Sequence, residues 1–345
     1  MMTSAHEVAR LAGVSVSTVS RALGSPDLVA PATRERVTAA AAQLDYRPNP
    51  SARGLRLGRT HTLGLVVPDL ENPFFTSIVK AVEGRARYAG YSLIVADSEE
   101  EAENEPELVA TLRHRTDGVV LASLRSDDDA VRAMVGDAPA VVVNRYVPGL
   151  PSVTADDADG AAQVFAHLRA LGHRRIAVGG GPETSRSGLE RLHGLRAAAA
   201  RHDDVELIEL GSFPPYYSGG AAVADLAVAC GATAVIAHND VMAAGIVGRA
   251  RDRGIDVPGD LSVAGFDDSA VATVLSPALT TVRVPRTRLG RRAVDLLVAQ
   301  VEDRDRGAAV VPDAPQILAV DLVIRGSSAE PAQRPTPSVD AALGR

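Results

Sequence analysis

Residues 4–23 read SAHEVARLAGVSVSTVSRAL, and the local chemistry of this stretch predicts two short helices. Ser4-x-x-Glu7 has the form of a capping box, in which the two side chains satisfy free N–H groups at a helix start. Val8, Leu11 and Ala12 then recur at i, i+3 and i+4, an apolar stripe for one buried face. Gly13 supplies the stop, Val14 a plug for the turn, and Ser15 a cap for a second helix whose inward contacts are Val16, Val19 and Leu23. Two short helices with a glycine between them fit a helix-turn-helix. Pro31 suits the first turn of a third helix, with Val37, Ala40, Ala41 and Leu44 facing inward.

Next comes YRPNPSARGLRLG, residues 46–58. Asn49 followed by Pro50 reads as N-cap then first helical position, for a short helix from Pro50 to about Leu57. Gly54 costs it about 1 kcal/mol, and so short a helix is marginal in water by itself. Leu55 and Leu57 stand among Arg53, Arg56 and Arg59, as an element that wedges into a DNA minor groove requires. Spacing alone favours the plainer reading of an interdomain linker.

Charge separates this head from the rest. The 345-residue chain has 36 Lys plus Arg against 43 Asp plus Glu, a net charge of −7 that read whole argues against nucleic acid. The first 60 residues, however, hold eight Arg and four acids, a net +4 that leaves −11 on the remainder. A small basic head on a large acidic body is the asymmetry of a nucleic-acid-binding module. With 46% hydrophobic residues the chain can bury a sizeable core, which excludes global disorder. The single cysteine, Cys230, excludes an intramolecular disulfide framework and suits a reducing cytosol. No apolar run approaches the ~18–20 residues of a membrane span, and the first residues lack the form of a signal peptide. The expected location is cytoplasmic, on the nucleoid when DNA is bound.

From residue 62 onward short β-rich runs alternate with helical stretches: 62–70, 92–98, 118–123, 140–145, 152–157, 175–181, 207–212, 234–240 and 261–268. Most are continuous Val/Ile/Leu runs, the mark of parallel strands covered by helices on both faces. Ligands in such sheets sit beyond the carboxyl ends of the strands. Polar residues gather there: Asp69, Asp97, Asn144, Asn239, Asp240 and Asp267. Capping the next helix is an equal alternative role for each.

HEVARLAGVSVSTVSRAL (6–23) and VAPATRERVTAAAAQLDYRPNPSARGLR (29–56) resemble the DNA-binding head of the lactose/galactose-repressor (LacI/GalR) family. PDLENPFF (68–75), AVVVNR, ERLHGLRAA (190–198), HNDVMAAG (238–245) and the run from Ile255 through LSPALTTV (275–282) resemble that family's body, which is related to periplasmic sugar-binding proteins. The resemblance implies an all-α helix-turn-helix head (1–48), a hinge helix and linker (49–60), and a two-lobed α/β body with parallel sheets (61–328). Lobe 1 would span about 61–158 plus 286–319, and lobe 2 about 159–285 plus 320–328. It implies a homodimeric transcriptional regulator, a repressor, on a pseudo-palindromic operator in double-stranded DNA. Its effector would be a small molecule, a sugar or sugar derivative.

The resemblance also implies roles. Val16, Ser17 and Arg21 occupy base-reading positions in the major groove, where Arg21 can contact guanine bidentately. Ser15, Thr18, Ser20, Thr33, Arg34 and Asn49 are backbone-contact candidates. Ala52 and Leu55 match the hinge positions that enter the minor groove. In the cleft between the lobes, Phe74 and Phe75 stand where the family stacks its ligand; Asn144, Arg145, Arg191, Asn239 and Asp267 would grip polar groups, and Phe213 would form a wall. Plain core packing is the alternative for the phenylalanines, and a salt bridge to Glu190 or another acid for Arg191. Ser185 and Ser187 weaken a purine reading, and His238 stands where relatives vary.

Other features carry less. GGGPETS (179–185) lacks the Lys-Ser/Thr of a P-loop. His167, His173, His193 and His202 show no metal-ligand spacing, and Cys230 reads as a small buried hydrophobe. No Ser/His/Asp arrangement has a local signature, so neither catalysis, cofactor nor metal is expected. The 329–345 tail reads as disordered by composition, and without a leucine heptad the oligomer expected is a dimer. Two rival readings remain: a sugar-binding module without regulatory DNA binding, and an α/β enzyme acting on sugars.

Overall fold

A computed structural model describes residues 4–24, 28–46, 59–306 and 314–332. The chain divides into two compact units, Met1–His61 and Thr62–Arg345. The expected hinge helix, with Asn49, Ala52 and Leu55, lies outside the described residues.

In the first unit α1 is Ala5–Ala12, α2 Val16–Gly24 and α3 Pro31–Gln43. The Ser4–Glu7 capping box is formed, with Ser4 N donating to Glu7 Oε2 at 2.8 Å and Glu7 N donating to Ser4 Oγ at 3.4 Å. Gly13 closes α1 at φ 64°, the left-handed conformation that glycine adopts without a Cβ penalty. Val8, Ala9, Ala12, Val19, Ala22, Val37, Ala40 and Ala41 form the core, with Val14, Val16, Leu23, Leu44 and Tyr46 packed around it. Leu11 is not part of it and stands 47% exposed. The buried face of α1 centres between Val8, Ala9 and Ala12, and at 100° per residue Leu11 falls well off that face. Ala9 takes the place expected of Leu11.

The second unit folds as two lobes. Lobe 1 contains β1 (Thr62–Val67), α4 (Pro73–Tyr88), β2 (Ser92–Asp97), α5 (Glu105–Arg115), β3 (Gly118–Ala122), α6 (Asp128–Val135), β4 (Ala140–Val143) and β5 (Ser152–Ala155). Lobe 2 follows with α7 (Asp157–Ala170), β6 (Arg175–Gly180), α8 (Arg186–Ala199), β7 (Glu206–Ser212), α9 (Tyr217–Ala229), β8 (Ala234–Ala237), α10 (Asp240–Asp252), β9 (Ser262–Asp267), α11 (Ala270–Val274) and β10 (Thr280–Arg283). The chain returns to lobe 1 in α12 (Arg286–Arg306) and β11 (Gln316–Leu318), then ends in lobe 2 with β12 (Asp321–Val323). It therefore crosses between lobes after β5, after β10 and after β11.

The sheet orders are β11-β5-β4-β3-β1-β2 and β12-β10-β9-β8-β6-β7. Each repeats one doubly wound pattern, reversing direction between β1 and β3 and again between β6 and β8, where the rule for open α/β sheets places ligands. All described pairings are parallel except β10 with β12, which is antiparallel. The central strands β3, β4, β8 and β9 are buried throughout, which explains the apolar runs of β3, β4 and β8 and the apolar middle of β9 between Ser262 and Asp267. The short strands β10, β11 and β12 were not among the strands expected from sequence. Their runs are too brief to stand out, and β11 and β12 are edge strands formed by pairing with strands distant in sequence.

Helices α4 and α12 pack together on lobe 1, α7 against α8 on one face of lobe 2, and α9 against α10 on the other. The α9–α10 crossing is set by two glycines: a Cβ on Gly220 would stand 2.0 Å from Met242 O, and one on Gly245 would stand 2.0 Å from Tyr217 O. One hydrophobic cluster runs from Leu63 and Phe75 in lobe 1 to Ile176 and Phe266 in lobe 2. Residues Ser327–Ala329, which composition places in or beside the disordered tail, are pinned instead. Ser327 is fully buried, and His173 Nε2 lies 2.9 Å from Ala329 O while its Nδ1 meets Thr233 Oγ1 at 2.9 Å. Burial holds the His173 imidazole below its ordinary pKa.

Because the α9 and α10 backbones touch, Gly245→Ala should separate them and destabilise the body by about 1–3 kcal/mol, the range for overpacking a close-packed interior. Denaturant melts of the two proteins check this; equal midpoints would show that the crossing relaxes without cost.

Candidate functional site

The head presents one polar surface along α2. Ser15 caps α2, accepting from Thr18 N at 3.1 Å, and its hydroxyl lies 2.8 Å from both Ser17 Oγ and Thr18 Oγ1. Ser15, Ser20 and Arg21 are exposed, while Val16, Ser17 and Thr18 are half-buried. Arg21 Nε leans back on Ser17 O at 3.4 Å. Thr33 and Arg34 stand in the first turn of α3, both half-buried. The fold thus gives the base-reading and phosphate-contacting candidates on α2 one short helix whose opposite side, through Val19 and Ala22, is locked into the core.

The second candidate site lies between the lobes. A cavity of about 20 Å³ is lined by Phe74, Phe75 and Asn144 from lobe 1 and by Arg191, Asn239 and Asp267 from lobe 2. Six of the eight residues expected in the cleft therefore meet there. Phe74 and Phe75 pack edge to face at 5.1 Å between ring centroids, and both also belong to the core, so the two readings of this pair coincide. Asn144 bonds Ser123 Oγ through Nδ2 at 2.9 Å, and its buried Oδ1 has no partner among the described residues. Asn239 is already engaged: Oδ1 caps α10 by accepting from Met242 N at 2.8 Å, and Nδ2 donates to Pro215 O at 3.0 Å.

Two expected residues do not line this cavity. Arg145 points the other way, donating to Leu124 O at 2.7 Å and Ser126 O at 2.8 Å and pairing with Asp128; it lines an adjoining cavity of about 340 Å³ toward the crossovers. Phe213 packs half-buried against the lobe 2 core. Conversely, the cavity also takes in Asn72, Glu100, Ser123 and Arg125, which carried no signal in the sequence. Arg125 is buried and bonds Glu100, Nη2 to Oε1 at 2.9 Å. A sequence shows neither partner of such a pair, because the two come from loops 25 residues apart that only the sheet brings together.

Other strand-end polar residues serve the backbone. Asp97 accepts from Leu70 N at 2.8 Å and Glu99 N at 2.9 Å, and Asp69 accepts from Glu71 N at 2.7 Å. Ser123, Asn144 and Asp267, by contrast, adopt positive φ values of 53°, 61° and 114° as their strands end. Such backbone costs about 1–3 kcal/mol per residue and concentrates at binding sites.

Arg191 organises the lobe 2 wall. Its Nε donates to Asp157 Oδ1 at 2.7 Å, its Nη1 donates to His238 O at 2.6 Å, and its guanidinium lies 4.4 Å above the Phe266 ring. Asp267 is 3.8 Å from Nη2, an ion pair but not a hydrogen bond. Burial raises the Asp157 carboxyl above the aspartate range against the pull of Arg191, and burial raises Asp267 further. Burial pushes Asp240 up to about 6, opposed by hydrogen bonds from Thr281 Oγ1 and Ser269 N. His238 is held well below the usual imidazole value by burial and by the charges of Arg191 and Arg125, so its ring is neutral. The arrangement offers paired donors and acceptors beside two aromatic rings, which suits recognition of neighbouring hydroxyls. Among the described residues no group of three or more His, Cys, Asp or Glu could hold a metal, and no helix is long and apolar enough to cross a membrane.

Comparisons with known proteins agree with this architecture. Residues 4–49 match the bacterial regulatory proteins of the lacI family, and residues 165–328 match the periplasmic binding protein-like domain. The chain is 35% identical to the HTH-type transcriptional regulator GalR of Escherichia coli (strain K12) over 337 residues, 96% of this chain and 97% of that protein. A lac repressor dimer bound to operator and the anti-inducer ONPF superposes with a TM-score of 0.86 at 30% identity, covering 95% of this chain and all of that one. A CelR–cellobiose complex superposes with a TM-score of 0.69 at 31% identity, covering 94% of this chain and all of that one.

The buried acids yield a test. Below the ordinary aspartate pKa of 3.8, Asp240 is protonated in native and unfolded states alike and resembles asparagine. Between that pH and about 6 the native state holds more protons than the unfolded one, so its stability contribution falls as pH rises. Asp240→Asn should therefore match the parent near pH 4 and melt at a higher temperature above pH 6. Thermal melts across this range read the difference; one that does not change with pH would place the titration elsewhere.

Proposed function

Because the chain belongs to the LacI family of bacterial regulatory proteins, we propose that it is a homodimeric repressor whose hold on operator DNA is set by a sugar in the cleft between its lobes. The observation that carries this reading is the meeting of Phe74, Phe75 and Asn144 with Arg191 and Asp267 from opposite lobes. Arg191 and Asp267 fit a hydroxyl pair, Asn144 Oδ1 supplies a free acceptor, and the phenylalanine rings fit the C–H face of a pyranose. A cavity of about 20 Å³ holds little more than a water. A sugar must therefore enter with the lobes apart, and its binding free energy depends on the angle between them. Arg145 braces the loop after β3 through Leu124 O and Ser126 O, and Phe213 packs on the lobe 2 core, so neither lines the cavity as it stands here.

On the DNA side, Val16, Ser17 and Arg21 read bases, with Arg21 bidentate to guanine. Ser15, Thr18, Ser20, Thr33, Arg34 and Asn49 hold the phosphate backbone. Residues 1–48 act as the head and 49–60 as the hinge, with Ala52 and Leu55 in the minor groove and Leu55 as the wedge. Residues 61–328 act as the effector-binding and dimerisation body. Two heads on one pseudo-palindrome fix the spacing between half-sites. An effector alters operator affinity only through unequal affinity for the two lobe arrangements, a coupling typically worth ~1–3 kcal/mol. The cleft binds without turnover and the protein acts in the cytoplasm, as its regulator relatives support.

Gel shifts on promoter DNA at fixed salt, with and without a panel of sugars, test the whole reading. Arg21→Ala should weaken specific operator binding by about 1–3 kcal/mol and relax preference at one base pair; equal loss on all sequences would make Arg21 a phosphate contact. Asp267→Asn should leave operator affinity intact while abolishing the response to the active sugar. A retained response would move the effector site elsewhere.

A further inference from the structure

Lobe 2 holds a cavity of its own beside the interlobe cleft. Between α8 and the carboxyl ends of β6, β7 and β8 lies a cavity of about 240 Å³. Its walls are apolar, built from Val178, Leu192, Leu195, Ile236 and Phe266, with Leu189 at the mouth. All of these residues belong to lobe 2, so this space exists whatever the angle between the lobes.

The glycine run that the sequence left without a role, Gly179–Gly181, borders this space together with Gly188. A Cβ on Gly181 would stand 2.5 Å from the His238 ring, and one on Gly188 would stand 3.0 Å from it. The glycines thus make a slot for that imidazole, which with Arg191 lines both the cavity and the effector cleft. One face of the Arg191 guanidinium rests on Phe266, a cavity wall, while its edge bonds Asp157 and the His238 carbonyl. Of the charged groups that line the cavity, Arg196 and Glu209 pair with each other, Arg191 is held by Asp157, and Glu183 is exposed to solvent. With these charges already paired or in solvent, an ionised molecule would lose its hydration in the apolar interior without return. An apolar cavity of ~150 Å³ already accepts benzene.

We propose that this cavity is a second small-molecule site, for an uncharged ligand of one or two rings, which enters past Leu189 and rests against the cleft-facing residues Arg191 and His238. The site lies within lobe 2 and adjoins the sugar-binding cleft, with Arg191 and His238 between them.

Indole is the probe, titrated by calorimetry and by proton NMR into the full chain. Saturable binding at one site per chain, with the His238 ring resonances shifting in step, is the expected result. Leu189→Asp, an exposed substitution that spares folding, should weaken indole by about tenfold, or 1.4 kcal/mol. Leu192→Phe should abolish binding, with its melting curve confirming a folded protein. Asp267→Asn, which disables the cleft, should leave indole affinity within about twofold. The proposal is overturned by no saturable binding to the parent protein, by indifference to Leu189→Asp, or by loss of binding in Asp267→Asn, which would put the probe in the cleft. None of these outcomes depends on which sugar the cleft takes.

Discussion

One buried guanidinium organises the lobe 2 side of the cleft. Arg191 bonds Asp157 at the first crossover into lobe 2, the carbonyl of His238 at the end of β8, and the face of Phe266 in β9, while Asp267 waits 3.8 Å away. Breaking a buried ion pair on one side costs about 3–5 kcal/mol, because the partner charge remains without its counterion. Here two carboxylates would remain, both already raised by burial. In the proposed function, the residue that joins the wall to the crossover is also the one the sugar meets, so that a sugar bonded to Asp267 changes the environment of the crossover strap through a single side chain.

The rest of the body positions that arginine. Two doubly wound sheets of the same topology bring their strand ends to one cleft, and three crossings let them tilt without coming apart. The shared hydrophobic cluster runs through both lobes, so core and hinge are continuous. The strand-end residues divide accordingly. Asp97, Asn239 and Asp240 satisfy backbone groups and keep the loops in shape, whereas Asn144 and Asp267 hold acceptors toward the cleft at a cost in backbone conformation.

The head follows a different logic. Its core is eight small apolar side chains under three helices, while most of the positive charge that the whole-chain sum conceals comes from Arg53, Arg56 and Arg59, which follow the helices in sequence. Capping box, glycine stop and serine cap are local devices, and each was legible because the residues that form it lie within four positions of one another. Leu11 was misplaced because a periodic stripe leaves the direction of the buried face open by about one residue; the packing of α2 and α3 on α1 decides it.

By itself the sequence determined what depends on near neighbours: the helix-turn-helix, the buried strands with their unbroken valine and isoleucine runs, and the family-like positions Phe74, Asn144, Arg191 and Asp267. Only the tertiary structure decided what depends on distance along the chain. It paired Glu100 with Arg125, turned Arg145 into lobe 1, added the short strands β10 to β12, pinned Ser327–Ala329 beneath lobe 2, and set His238 in a slot of glycines. The physical reason is common to all of these. A cap or a periodic stripe is written in consecutive residues, whereas a buried ion pair, an edge strand or a cavity exists only when segments tens of residues apart are packed to atomic contact.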